Sequence, residues 1–278
     1  MLKVANSSEF RNLSPAKFVP MLADRGEYLA SESSFYRLLK ANRQLAHRRK
    51  EKPSRPYTEL APLTATRPNA IWSWDITYLK TRVRGIFYYL YMHLDLFSRR
   101  IMGAQVHASE SAEHAAKMAS QLTKSYGIKP GSLYLHSDNG GAMKGSTMVV
   151  TMEKLGVIPS FSRPGVSDDN PFSESLFKTM KYHPSFPERP FDSIFDAQDW
   201  VDRFVYWYNN HHLHSGIRFV TPQSRYDGLD VEILDKRREV YEKARESNPQ
   251  RWRNNIRDWE PIQIVTLLAR KQIWQCAS

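Results

Sequence analysis

"AIWSWDITYLKTRVRGIFYYLYMHLDLFSRRIMGAQVHA", residues 70–108, decides the fold. Its β-branched and aromatic runs are broken by RVRG at 82–85 and again at Ser98 and Arg99, which predicts three consecutive antiparallel strands. In the first of them Ile71, Ser73, Asp75 and Thr77 share one face, and Trp72, Trp74, Ile76 and Tyr78 the other, because side chains alternate with a period of two. Asp75 therefore sits mid-strand among large apolar residues, where an unpaired carboxylate is costly. A hydrogen-bonded structural aspartate and a chemically active one both satisfy that position.

Downstream the pattern alternates. A helix is expected over about 110–126, capped by Ser109 or Ser111 and stopped before Gly127. "LYLHSDNGGAMKGSTM", 133–148, opens as a strand and ends on Asp138 and a loop of Asn, Gly and Gly. Then come a helix over about 147–155, a short strand "VIPSFS", a loop, a helix over about 170–182 and a long amphipathic helix in "DAQDWVDRFVYWYNNH". Three antiparallel strands followed by alternating helices and strands predict a mixed α/β sheet flanked by helices. Asp138, at a strand terminus, is a turn cap or one ligand of a cation site.

Upstream, residues 13–42 hold two short helical patterns interrupted at Gly26, with Pro15 in the first turn of one and Ser31 or Ser33 capping the other. Phe35, Leu38 and Leu39 fall on one face of the second helix, and Arg37, Lys40 and Arg43 point elsewhere. That is a basic helix-turn-helix or an ordinary helical hairpin. "HRRKEKPSRPYTELAPLTATRPNA" then reads as a linker. The expected organisation is 1–50 as a basic DNA-binding region, 51–69 as linker, 70–226 as the α/β core, and 227–278 as a charged helical extension with a tail.

Composition narrows the partner. Forty Lys and Arg against 29 Asp and Glu leave the chain of 278 residues at +11, which favours a polyanion. Residues 1–57 hold 12 basic and five acidic residues, so they carry seven of those charges. The single cysteine, Cys276, excludes a disulfide framework and a multi-cysteine zinc site, and points to a reducing compartment. No signal peptide or long apolar stretch is present, so a soluble cytoplasmic protein without a membrane partner is expected.

Three acids stand out. Between Asp75 and Asp138 lie 62 residues, and between Asp138 and Glu174 lie 35. Glu174 opens a helical stripe that continues through Lys178 and Lys181 at i+4 and i+7. Singly, Glu174 with Lys178 is an ordinary surface pair. Together, the acids on two strands and one helix are able to converge. "HHLH" at 211–214 invites a metal reading, but it ends an aromatic helix and lacks cysteine partners, which favours packing, capping or a DNA contact. Asn170 is either a helix cap or a substrate contact, His136 reads as a packing or orienting residue, and Asp95 as a structural acid.

The spacing resembles the DDE transposases and retroviral integrases, whose last two acids are commonly separated by 35 residues. The words "WSWDITYL", "LHSDNGGAMKGSTM", "SFSRPGVSDDNPFSESLFKTMKYHP" and "YNNHHLHSGIRFVTPQSRY" resemble the OrfB half of the IS-three family of bacterial insertion sequences, over about 14–261. Leu213 stands where that group usually has arginine, and the residues after Pro261 depart from its usual ending. The resemblance implies an RNase H-like fold in which Asp75, Asp138 and Glu174 are catalytic and hold two Mg²⁺ ions, with Mn²⁺ as a substitute. It implies DNA strand cleavage and strand transfer, with transposon terminal inverted repeats and target DNA as partners. It also implies a homo-oligomer on DNA, an upstream-frame OrfA product or fusion, and a bacterial cytoplasmic setting associated with the nucleoid. Lys178 and Lys181 are expected to grip the DNA backbone near the metals, and Arg37, Lys40 and Arg43 to contact DNA from the N-terminal region. The competing readings are a DNA-binding regulator that has lost catalysis and a nuclease of the same fold that only hydrolyses.

Overall fold

The strand signal of residues 70–108 and the helical signal of residues 13–42 belong to two separate compact units, Met1–Leu60 and Ala61–Ser278. The computed structural model describes residues 1–45, 62–163, 169–252 and 255–267. Most of the expected linker, its basic residues from Arg48 to Arg55, and the tail with Cys276 lie outside the described residues.

The first unit contains α1 (Leu2–Ala5), α2 (Pro15–Asp24) and α3 (Glu32–Ala41). Pro15 takes the first position of α2, where its missing N–H costs nothing. Ser31, rather than Ser33, caps α3 by accepting the Ser34 N–H at 3.3 Å. Phe10, Phe18, Leu22, Phe35 and Leu39 form the core, with Phe18 and Phe35 edge to face at 4.8 Å. Arg37 and Lys40 are exposed, as the periodicity of α3 predicts, and Arg43, beyond the end of the helix, is exposed as well.

The second unit is built on β1 (Leu63–Ala65), β2 (Ile71–Lys80), β3 (Phe87–Asp95), β4 (Ile101–His107), α4 (Ala112–Ser125), β5 (Tyr134–Ser137), α5 (Gly141–Lys144), α6 (Ser146–Leu155), β6 (Ile158–Phe161), α7 (Pro171–Lys181), α8 (Ile194–Asn210), α9 (Pro222–Tyr226), α10 (Asp230–Ser247) and β7 (Val265–Leu267). The main sheet runs β4-β3-β2-β5-β6. β2 pairs antiparallel with β3, with Trp74 opposite His93, and parallel with β5, with Ser73 opposite His136. This is the mixed, helix-flanked sheet that the alternating pattern predicts.

The alternation in β2 sends its two faces into two cores. Ile71 and Leu79 join Leu90, Met92 and Leu94 under α7 and α8, where Leu176, Phe177, Met180, Trp200 and Phe204 cover them. Trp72 and Trp74 join Tyr91 and Met102 under α4 and α6. Each large apolar side chain buried in this way stabilises the unit by about 1.5–3 kcal/mol. Gly103 in β4 admits the α4 layer: a Cβ there would lie 2.7 Å from the Leu122 side chain. The edge strand β4 is covered by α8, whose Asn209 amide exchanges two hydrogen bonds with the Ile101 backbone at 2.9 and 3.0 Å.

Asp95 closes the corner between β3 and β4, accepting from the Asn69 N–H, the Ser98 N–H and the Ser98 hydroxyl at 2.6–2.7 Å. Burial raises its pKa, and those donors oppose the shift. The structure differs from the expected organisation at both ends of this unit. Leu63–Ala65, inside the expected linker, is a strand, and it pairs antiparallel with Val265–Leu267 of the expected helical extension. Three residues carry too little periodicity to announce a strand, and the partner lies some two hundred residues away. Among the described residues no helix is long and apolar enough to cross a membrane.

Candidate active site

Asp75 lies on the face of β2 that also holds Ser73, toward α7, and its Oδ1 accepts the Ile76 N–H at 2.7 Å. Its pKa is pushed up to about 7, from an ordinary 3.8. Burial is the main cause. The fields of Asp138 and Glu174 add to it, while the Ile76 hydrogen bond and the Lys181 ammonium pull the other way. All three acids singled out in the sequence, and one of the two lysines, therefore act within one electrostatic neighbourhood.

The parallel register explains half of that convergence. Ser73 stands opposite His136, and Asp75 and Asp138 each follow two residues later, just past the end of the β2–β5 ladder. Asp138 is partly buried, and its Oδ1 accepts the Gly140 N–H at 2.8 Å, a side-chain turn that shapes the loop into α5. A Cβ on Gly140 would stand 3.0 Å from that oxygen and 2.8 Å from Met143 Sδ, so a side chain here has to displace both groups.

Glu174 is exposed in the first turn of α7, where the helix dipole favours an anion. Lys178, Lys181 and Tyr182 follow it on the exposed side of the helix. The other side is fastened to β2. Ser73 Oγ lies 2.5 Å from Ser173 Oγ and donates to Asn170 Oδ1 at 3.1 Å, while Asn170 Nδ2 donates to the Trp74 carbonyl at 3.5 Å. Asn170 is buried and its side chain does not cap α7. Asn170 stands at the N-cap position of α7, but its side chain ties the helix to the sheet instead of capping it.

His136 anchors the segment before α7. Its Nε2 faces the Asp169 carbonyl at 3.1 Å and its Nδ1 the Ser160 hydroxyl at 2.9 Å. A carbonyl only accepts, so Nε2 carries the proton and Nδ1 accepts from Ser160. Burial lowers the pKa of this histidine and keeps it neutral. Asp169 in turn is gripped by Arg163 through Nε and Nη2 at 2.8 and 2.7 Å, which holds its carboxyl below the usual range. Arg163, Asp169, Ser73 and Ser173 escaped sequence reasoning, since their pairings link segments that no periodicity connects.

Of the histidines at 211–214, His214 makes a capping contact and His212 a packing one. His214 Nδ1 accepts the Gly216 N–H at 3.0 Å, and burial, with the neighbouring Arg99, pushes its pKa down to about 4. His212 stacks on Tyr208 at 5.1 Å. Among the described residues no three His, Cys, Asp or Glu side chains stand in a ready-made metal-holding group. Asp75, Asp138 and Glu174 thus share a field without forming a closed cage. Their donor set, carboxylate oxygen alone, is one that suits a hard divalent cation, and a cation between them would relieve the part of the Asp75 shift that comes from Asp138 and Glu174.

Residues 65–167 match one family model described as an integrase core domain, and residues 155–222 match a second with the same description. The transposase for insertion sequence element IS904 of Lactococcus lactis subsp. lactis (strain IL1403) is 29% identical over 171 residues, 61% of this chain and 66% of that protein. Transposase InsF for insertion sequence IS3A of Escherichia coli (strain K12) is 30% identical over 117 residues, 42% of this chain and 40% of that protein. Among solved structures, a simian T-cell lymphotropic virus intasome in complex with the PP2A regulatory subunit B56 gamma gives a TM-score of 0.49 at 18% identity, covering 76% of this chain and 73% of that one. The HTLV-2 integrase catalytic core domain in complex with magnesium gives 0.42 at 18% identity, covering 56% and 95%.

Proposed function

We propose that this chain, a member of the insertion-sequence transposases that carry an integrase core domain, cuts DNA strands and joins the ends it makes. The observation that carries the reading is Asp75: a carboxylate lifted to about 7 by burial and by two further acids, on the strand at the centre of an integrase core. Asp75, Asp138 and Glu174 are read as the ligands of divalent cations, Mg²⁺ or Mn²⁺, two ions serving one reaction. When bound, such cations supply the Lewis acidity that in-line phosphoryl displacement needs at the attacking and leaving oxygens.

The chain's own residues do the rest. The Ser73, Asn170 and Ser173 contacts hold the Glu174 helix against the Asp75 strand, and the Asp138–Gly140 turn fixes the third acid. Lys178 and Lys181 are read as grips on phosphates beside the reacting bond. Water attacks a phosphodiester and a 3′-hydroxyl leaves; that hydroxyl then attacks a second phosphodiester, so each step exchanges one P–O bond for another. Holding both DNA segments in one assembly makes the second attack effectively unimolecular. The partners in this reading are transposon terminal inverted repeats, target DNA, further copies of the chain and an upstream-frame product. Arg37 and Lys40 on α3, with Arg43 just beyond its end, add a second basic contact with DNA.

The test is a labelled terminal-repeat duplex incubated with Mg²⁺ and the chain, alone and fused to its upstream frame. Nicking followed by joined or circular products is expected from the fusion. Shorter fragments without joining, from ends that are bound and paired, would move the assignment to hydrolysis. Asp75→Asn, Asp138→Asn and Glu174→Gln should each abolish nicking while DNA is still bound; near-parental nicking by any of them would remove that residue from the trio.

A further inference from the structure

We infer that Tyr182 is a stacking platform for an unpaired base of the DNA strand that α7 leads to the acids, an inference that rests on the functional reading above. Tyr182 is 80% exposed at the C-terminus of α7, and among the described residues its ring packs on no other aromatic group and its hydroxyl has no hydrogen-bond partner. Leaving an aromatic ring in water forfeits its burial energy, yet the helix keeps it beside two lysines.

Position gives the ring its direction. At 100° per residue Lys181 lies about 20° from Glu174 around the helix, Lys178 about 40° on the other side and Tyr182 about 80°, so the four form one band on the exposed side. Lys181 already acts on Asp75, which ties the band to the acid neighbourhood. A positive track carrying an exposed aromatic ring is the combination that holds single-stranded nucleic acid, through phosphate contacts and base stacking. Phe195 is as exposed, at 81%, but Asp192, Asp196 and Asp199 surround it in sequence and would repel a phosphate backbone. Tyr182 stands eight positions after Glu174, a rise of about 12 Å along the helix. That distance is about three to four phosphate steps along a strand. The ring therefore serves a base a few nucleotides from the reacting phosphodiester, where a duplex end has to open.

The experiment compares two probes of one sequence, a fully paired fluorescein-labelled 20-mer duplex and the same duplex with its last four base pairs mismatched. Binding to the full chain is measured in EDTA, so that cleavage plays no part. Tyr182→Ala should weaken binding to the open-ended probe on the order of ten-fold and leave the paired probe nearly unaffected, while Tyr182→Phe keeps parental affinity. Parental affinity of Tyr182→Ala for the open end, equal losses on both probes, or a loss in Tyr182→Phe matching that in Tyr182→Ala would each overturn the stacking role. Nicking with Mg²⁺ is scored separately: a chain that prefers open ends through Tyr182 but never nicks, even when fused to its upstream frame, contradicts the transposase reading and leaves the stacking site standing.

Discussion

Ser73 Oγ and Ser173 Oγ share a hydrogen bond 2.5 Å long, joining the strand that carries Asp75 to the helix that carries Glu174. Each serine lies within two residues of its acid, and both are buried. The strand and the helix that carry the two acids are therefore tied together by small neutral groups.

Removing the Ser173 hydroxyl takes away this bond and leaves Ser73 Oγ with Asn170 Oδ1 as its partner. Ser173→Ala should cost about 0.5–1.5 kcal/mol of stability, read as a lowered Tm, and should slow Mg²⁺-dependent nicking as the Glu174 helix loses an anchor. An unchanged Tm together with unchanged nicking would show that the contact positions nothing.

The raised pKa of Asp75 has a defined sign. Between about pH 4 and pH 7 the folded protein holds a proton at Asp75 that the unfolded chain has released, so the metal-free protein loses stability as pH rises through that window. Asp75→Asn should flatten this slope and raise the Tm at pH 8. Mg²⁺ competes with the same proton, so its apparent affinity should climb up to about pH 7 and then level off. Thermal melts across pH, with and without Mg²⁺, measure both; a Tm that rises steadily from pH 4 to 7 in the parent but not in Asp75→Asn contradicts the assignment.

Gly140→Ala tests the turn that holds Asp138. The added methyl meets Asp138 Oδ1 at 3.0 Å and Met143 Sδ at 2.8 Å, and although the methionine swings away, the carboxylate is tied to the loop. Nicking should fall by about ten-fold or more, the effect of a misplaced catalytic group, with little change in the circular dichroism spectrum. Parental nicking would mean that the turn tolerates a shifted Asp138.

The basic face of α3 is open to a salt titration. If Arg37, Lys40 and Arg43 each contact a phosphate, replacing all three by alanine should reduce the slope of log affinity against log salt by about 2.7. All three are exposed, so the helix should survive. Identical slopes would exclude this face from DNA binding.

Much of this was legible in the sequence because periodicity is a local signal. The alternation in residues 71–78 fixes which face Asp75 takes, and the 3.6-residue pattern of 171–181 puts Glu174, Lys178 and Lys181 on the exposed side of α7. What periodicity cannot carry is the partner of a buried polar group. Asn170 looks like a helix cap in sequence because it precedes Pro171, yet its amide belongs to β2, about a hundred residues earlier. Arg163 and Asp169 read as loop residues, although their paired contacts fasten the approach to α7. The field that lifts Asp75 depends on three-dimensional proximity to Asp138 and Glu174, for which spacing along the chain is no substitute.

The pairing of β1 with β7 sets an order of events in synthesis. Leu63 stands opposite Leu267, so every other strand of the second unit is made before the partner of β1 exists. Closing so long a loop carries an entropic cost that a three-residue ladder repays only once the intervening core has folded. On the ribosome β1 therefore lacks this partner until Val265–Leu267 has emerged. A chain cut short before Val265 keeps all three acids of the site but leaves β1 without its pairing strand.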